Sequence, residues 1–172
     1  MSGDETLMRE ALRLAEEGLA AGDQPIGAIV ALGDEVVSAA RWTLRPGALL
    51  DHAEVVALRA ADGDPRVRRR GEATLYTTLE PCLMCMGTAM SFLVGRVVYA
   101  LEAPADGASE IADVWQPDLG HPPAGHPIYA VPEVVGGVCR DESLALASAF
   151  ADQHPELGWA RAFIPGFRYP SG

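Results

Sequence analysis

The sequence predicts a three-layer α/β/α domain. Three observations predict it. The chain has 172 residues, the length of one domain. Of these, 49% are hydrophobic, enough to fill a single core. Short apolar runs with β-branched members alternate with stretches of helical periodicity, the pattern of a sheet covered by helices on both faces. No internal repeat and no linker divides the chain.

Residues 2–21 read as an amphipathic helix. Leu7, Ala11 and Leu14, with Leu12 and Ala15 beside them, make one apolar face. Ser2 and Glu5 have capping-box spacing, and Gly22 is a stop signal. Ile26 to Leu32 is a continuous apolar run and reads as a buried strand. Gly33-Asp34 is a hairpin turn, and Glu35 to Ala40 is the second strand. Residues 41–51, with Arg45-Pro46-Gly47, form a loop. A helix is expected from His52 to Ala61, ending near Gly63.

Ala73 to Thr78 reads as the third strand. Pro81 suits the first position of a helix that runs to Val94, with Gly95 as its stop. Arg96 to Leu101 is the fourth strand. Residues 103–130 are rich in Pro and Gly, with a short helix expected at Ser109 to Val114. Val131 to Val138 is the fifth strand, weakened by Pro132 and Gly136-Gly137. Asp141 to Asp152 closes the domain as an amphipathic helix.

Composition narrows the partners. The formal net charge is −11, all thirteen basic residues are arginine, and the chain has no lysine and no asparagine. Binding to nucleic acid draws its affinity from phosphate neutralisation, so an RNA or DNA partner is not expected. The one basic cluster, Arg66, Arg68, Arg69 and Arg70, reads as a solvated loop end. Without lysine no Schiff base forms, and without asparagine no Asn amide reads a substrate. No apolar run reaches the ~20 residues that cross a membrane. The first residues, Met1 to Glu5, are acidic where a signal peptide begins basic, so a cytoplasmic protein is expected. Three cysteines do not suggest a disulfide framework, and Cys139, outside any motif, reads as a small buried residue.

Two short motifs carry the chemistry: His52-Ala53-Glu54, and downstream Pro81-Cys82-Leu83-Met84-Cys85. A Cys-x-x-Cys pair alone also suits redox chemistry. Such a site does not call for an upstream His-x-Glu, so metal is preferred. His52, Cys82 and Cys85 make three zinc ligands, whereas structural zinc takes four, which leaves one position open. Cys82 and Cys85 share the first turn of a helix, whose partial positive charge favours thiolates. His52 and Glu54 are two apart, a poor spacing for one helix face, so both helices are expected to aim their N-termini at the metal. Of the other histidines, His121 and His126 lie in the Pro/Gly-rich segment and read as exposed. His154 stands outside the motifs.

These motifs resemble the cytidine deaminase superfamily, in the branch of tRNA adenosine, guanine and fungal-type cytosine deaminases. The resemblance rests on Gln24 to Val30, His52 to Val55, Thr77 to Gly87, Arg96 to Tyr99, and Gly107 to Val114. It implies a five-stranded mixed sheet of order 2-1-3-4-5 with strands four and five parallel. It also implies one zinc on His52, Cys82 and Cys85. Glu54 would take a proton from the zinc-activated water and deliver it to the ring nitrogen next to the attacked carbon, and in a second transfer would protonate the departing amine. The backbone around Gly27, Ala28, Glu80 and Pro81 would line the pocket, and relatives are commonly dimers, so a homodimer is expected. Where relatives place a substrate-reading asparagine, this chain has Arg41, Trp42 and Thr43. Arg41 offers only donors, and Trp42 either stacks on a ring or packs.

Residues 1–152 are expected to form the zinc deaminase domain. Residues 153–172 form a tail that follows Phe150 and holds Trp159, Phe163, Phe167 and Tyr169. It is either a docked segment or a lid over a small substrate. The leading expectation is a zinc-dependent deaminase of a free nucleobase, nucleoside or related small aminoheterocycle. The alternatives are an adenosine deaminase of tRNA and a structural zinc protein without activity.

Overall fold

The structure, a computed structural model, describes residues 3–115, 129–164 and 166, without the side chains of residues 158, 159 and 163. In order the elements are α1 (Gly3–Ala20), β1 (Gly27–Leu32), β2 (Glu35–Arg41), α2 (Ala53–Asp62), β3 (Ala73–Leu79), α3 (Leu83–Phe92), β4 (Arg96–Leu101), α4 (Ile111–Val114), β5 (Glu133–Val135) and α5 (Arg140–Gln153). The strands form one sheet of order β2-β1-β3-β4-β5. β1 runs antiparallel to β2 and β3, whereas β3, β4 and β5 are parallel. This is the mixed 2-1-3-4-5 sheet that the resemblance implied.

Strand alternation divides the core into two layers. Ile29, Ala31, Tyr76 and Val98 face α1, which buries Leu7, Met8, Ala11 and Leu12 against them. Ala28, Val30, Leu75 and Val97 face the other way, toward Ala53, Ala57 and Leu58 of α2 and Met86 and Ala89 of α3. Each fully buried Leu or Met contributes about 1.5–3 kcal/mol. Gly27 lets α1 lie this close. A Cβ there would stand 2.1 Å from the Ala11 carbonyl oxygen.

Several boundaries differ from expectation for local reasons. α3 begins at Leu83 instead of Pro81. The Pro81 carbonyl accepts from the Ala108 N–H, and Cys82 is bridged to Gly107, so both stay extended. The helix stops at Leu93, in the left-handed region at φ 69°, and not at Gly95. Gly95 instead admits the Gly71 carbonyl, which a Cβ would meet at 2.0 Å. β5 is confined to three residues between Pro132 and Gly136, and α4 starts at Ile111 instead of Ser109. Cys139 is half-buried and left-handed at the start of α5, not a core residue.

The described part of the tail packs Leu157, Ala160 and Ile164 against Phe150 and Ala151. Phe167, Tyr169 and the side chains of Trp159 and Phe163 lie outside the described residues, as do Ser2, His121 and His126. Among the described residues, no helix is long and apolar enough to cross a membrane.

Candidate active site

α2 and α3 both start at the edge of the sheet where β3 ends. His52 is the N-cap of α2 and Cys82 the N-cap of α3, both with extended backbones. Neither side chain caps its own helix, so both are free to point outward. The two helix N-termini therefore converge, as the motif spacing predicted. Cys85, fully buried one turn into α3, completes the group.

His52 Nδ1 lies 3.7 Å from Cys82 Sγ and 3.5 Å from Cys85 Sγ, and the two sulfurs are 3.6 Å apart. A tetrahedral zinc with Zn–S of ~2.3 Å and Zn–N of ~2.0 Å requires about 3.8 Å between sulfurs and about 3.6 Å from sulfur to nitrogen. The group fits that ion. Among the described residues these three form the one cluster of potential ligands. His154, the other described histidine, stacks on Phe150 and pairs with Glu156.

The electrostatics suit a cation. A hydrogen bond from Cys85, joined by His52, lowers the Cys82 thiol to about 4. That same bond and burial push Cys85 up, so without a cation the two sulfurs share one proton. The Cys82 sulfur in turn raises His52.

Glu54 sits in the first turn of α2 and is 4% exposed. Burial raises its pKa. The Thr77 hydroxyl lies 3.2 Å from Glu54 Oε1 and 3.1 Å from the Leu79 carbonyl oxygen. A protonated Glu54 donates to this hydroxyl, which passes its own proton toward Leu79. An ionised Glu54 accepts from it instead.

A cavity of about 260 Å³ opens above the cluster, lined by His52, Glu54 and Cys82. Of the other residues expected there, Trp42, Thr43 and Glu80 line it, and Gly27, Ala28, Arg41 and Pro81 do not. Gly27 faces α1, and Ala28 lies one layer down in the core. Arg41 is drawn away by Asp23, 2.6 Å from its guanidinium. The Glu80 carboxylate is spent on the β4–α4 loop. It accepts from the Ala103 N–H at 3.0 Å and from the Ser109 N–H and hydroxyl at 3.2 and 2.5 Å. Gly107 fits closely beneath it: a Cβ would stand 2.7 Å from the Ala103 carbonyl oxygen as well as 2.4 Å from Glu80 Oε2.

Sequence reasoning missed Gln24 and Asp106, both in the cavity wall. Gln24 lay inside the Gln24-Pro25-Ile26-Gly27 segment, and Asp106 in an Asp-Gly turn signal. Asp106 is exposed as a residue, yet burial against the wall and the nearby Cys82 raise its carboxyl pKa.

Comparison with known proteins agrees with this geometry. The model of the cytidine and deoxycytidylate deaminase zinc-binding region matches residues 1–101. The tRNA-specific adenosine deaminase of Bacillus subtilis (strain 168) is 33% identical over 154 residues, covering 87% of this chain and 89% of that protein. The tRNA(Ile)-lysidine synthase of Deinococcus deserti is 36% identical over 152 residues, or 86% of this chain. The chain spans about a quarter of the length of the two Deinococcus synthases it matches, 27% and 25%. A structure solved in studies of A-to-I editing by tRNA:A34 deaminases superposes with a TM-score of 0.63 at 28% identity. It covers 82% of this chain and 99% of that one. The chain belongs to the family of the cytidine and deoxycytidylate deaminase zinc-binding region, with His52, Cys82 and Cys85 placed to hold the metal.

Proposed function

We propose that the chain hydrolyses the exocyclic amine of an adenosine carried by tRNA, leaving a carbonyl and releasing ammonia. The observation that supports the RNA substrate is the 33% identity to the Bacillus subtilis tRNA-specific adenosine deaminase, nearly end to end. It favours this reading over the small-molecule substrate that composition favoured.

His52, Cys82 and Cys85 would hold zinc, which when bound makes water nucleophilic near neutral pH. The remaining work falls to side chains of this chain. Glu54 takes a proton from the attacking water and delivers it to the ring nitrogen beside the attacked carbon; it then takes the remaining proton of the added hydroxyl and gives it to the amine, which leaves as ammonia while the carbonyl forms. Its raised pKa suits a group that must hold a proton between those steps. Thr77 holds one oxygen of the carboxyl in place, and the residue lines the cavity. At about 260 Å³ the cavity lies at the small end of ligand sites, suited to one ring system with the rest of the substrate outside.

One observation favours a second reading, a free base, nucleoside or related aminoheterocycle. Every described arginine except Arg68 lies within 4 Å of a carboxylate. The cluster at 66–70 is included: Arg66 pairs with Asp64 and Glu35, Arg69 with Glu72, and Arg70 with Asp62. With no lysine, a phosphate reaching any of these paired arginines would have to displace an existing partner. The zinc-loaded enzyme should be assayed for inosine in tRNA and for ammonia from a panel of bases and nucleosides. Inosine in tRNA is the expected result. Turnover of a free base with none on tRNA would replace the first reading by the second.

We also propose that the chain forms a homodimer through the groove on α3 between Leu83 and Tyr129, where Leu83 is 62% exposed. Sedimentation of the wild type against Leu83→Glu tests this, with a shift to monomer expected.

A further inference from the structure

Gln24 lies between α1 and β1, and Asp106 follows β4. β1 enters the sheet antiparallel to β3, with Ala28 beside Thr77, so the residues before β1 sit next to the exit of β3. β4 runs parallel to β3, with Leu101 beside Leu79, so the residues after β4 sit on the other side of that exit. The two loops flank Leu79 and Glu80, and both reach the cavity over the zinc ligands. Ligands of open α/β sheets bind at such strand ends.

Both loops are pinned. The Thr78 hydroxyl accepts from the Gly27 N–H at 3.1 Å and lies 3.4 Å from the Pro25 carbonyl oxygen. Glu80 fixes the loop that carries Asp106 through Ala103 and Ser109. Other polar side chains of the wall are committed. Arg45 is paired with Asp51, Glu80 is spent on its loop, and Glu54 is held by Thr77. Apart from the Trp42–Thr43 corner, the wall's polar groups without a hydrogen bond or ion pair to any described residue are the Gln24 amide and the Asp106 carboxylate. Gln24 is also the one side-chain amide among the described residues that reaches the cavity.

We propose that Gln24 and Asp106 are the specificity-determining pair of this site. The Gln24 amide offers a donor and an acceptor together, which matches the edge of a heterocycle. Asp106 offers only acceptors. It selects a substrate with a hydrogen-bond donor at the cavity mouth, either an N–H on the ring or a ribose hydroxyl, and it repels an anionic group there. This rests on the deaminase reading but not on the choice between tRNA and a free substrate.

The test compares wild type with Asp106→Ala, Asp106→Asn and Gln24→Leu, all zinc-loaded. Two substrate pairs are used: adenosine against 2′-deoxyadenosine, and 2,6-diaminopurine against adenine. Both turnover and calorimetric binding are measured. Loss of a hydrogen bond to a charged group corresponds to about tenfold to a hundredfold in affinity. Asp106→Ala is expected to shift the preference within one pair by that factor, in KM and Kd with little change in kcat. A shift in the first pair identifies the sugar hydroxyl, and a shift in the second identifies the ring edge. Gln24→Leu should weaken all four ligands in KM and Kd by about tenfold. Zinc content and melting temperature should stay at wild-type values in all variants. The proposal is overturned if the ratios in both pairs are unchanged, or if no ligand binds the wild type. It is equally overturned if losses appear only together with zinc loss or unfolding. Failure on tRNA with turnover or binding of these small ligands would sink the RNA reading and leave this one standing.

Discussion

Replacing Glu54 by glutamine isolates its proton chemistry from its packing. The side chain is 4% exposed and touches Thr77, whose hydroxyl also reaches the Leu79 carbonyl. A glutamine fits the same volume. Its NH₂ donates to the Thr77 oxygen while Thr77 donates to Leu79, so no buried polar atom is stranded, and the change in unfolding free energy should stay below about 1 kcal/mol. Glutamine cannot carry a proton. General acid–base catalysis is worth ~10²–10⁴ in rate, or about 3–5.5 kcal/mol of barrier. Because this one carboxyl serves consecutive transfers, Glu54→Gln should lose at least ~10³ in kcat. KM should stay within a few-fold, and the zinc content should remain at one per chain. Steady-state kinetics beside atomic absorption and thermal melts make the measurement. Activity within tenfold of wild type would refute the assignment. Loss of zinc at unchanged stability would make Glu54 a ligand instead of a proton carrier.

Four further outcomes follow from contacts in the structure. Cys85→Ala leaves two ligands, so zinc should fall well below one per chain. Loading the wild-type apoprotein near pH 7 should release protons into an unbuffered solution, because the sulfur pair holds one. Gly27→Ala puts a methyl group 2.1 Å from the Ala11 carbonyl oxygen, so α1 must move by roughly 1 Å at a cost of about 1–3 kcal/mol in a denaturant titration. Asp4 is held below its usual pKa chiefly by the Arg96 guanidinium, with Tyr76 also donating to it. A lowered folded-state pKa gives stability that is present above the unfolded value of 3.8 and is lost as pH falls through the folded value. Asp4→Asn should therefore cost about 1–2 kcal/mol at pH 7, and in acid unfolding the difference from wild type should shrink below pH 3.8 and vanish once the pH is below the lower folded value.

The elements with strong local patterns were legible. The stripe of Leu7, Ala11 and Leu14 marked α1, and Gly33-Asp34 marked the hairpin, because those signals lie within a few residues of each other. The metal group was legible for a related reason. Its ligands are tied to two helix starts, and helix starts are written locally. What failed depends on distant partners. Pro81 and Cys82 remain extended because residues 107 and 108 hold them, which nothing near position 81 reveals. Arg41 looked like a substrate contact from its neighbours in the chain, but Asp23 takes its guanidinium and also accepts from the Leu44 N–H. Gln24 and Asp106 gain meaning from the sheet order alone, which brings the start of β1 and the end of β4 to either side of β3.

The two N-cap positions show how the site trades helix stability for metal affinity. Ser, Thr, Asp or Asn at an N-cap stabilises a helix by about 1 kcal/mol through a bond to an early N–H. Here the caps are His52 and Cys82, and neither makes that bond. Both helices therefore aim the partial positive charge of their N-termini at the cluster, and the Cys85 backbone N–H helps to hold Cys82 as a thiolate. That field would repel a bare dication. It favours thiolates, and two thiolates with a neutral imidazole cancel the charge of one zinc. The sulfur pair without metal keeps one proton instead, with Cys82 low and Cys85 high, which is the same compensation by a smaller charge. Metal loading thus exchanges a proton for zinc at a point where α2 and α3 already converge. The backbone need not rearrange, and the zinc affinity should track the thiol protonation equilibrium more closely than the folding equilibrium.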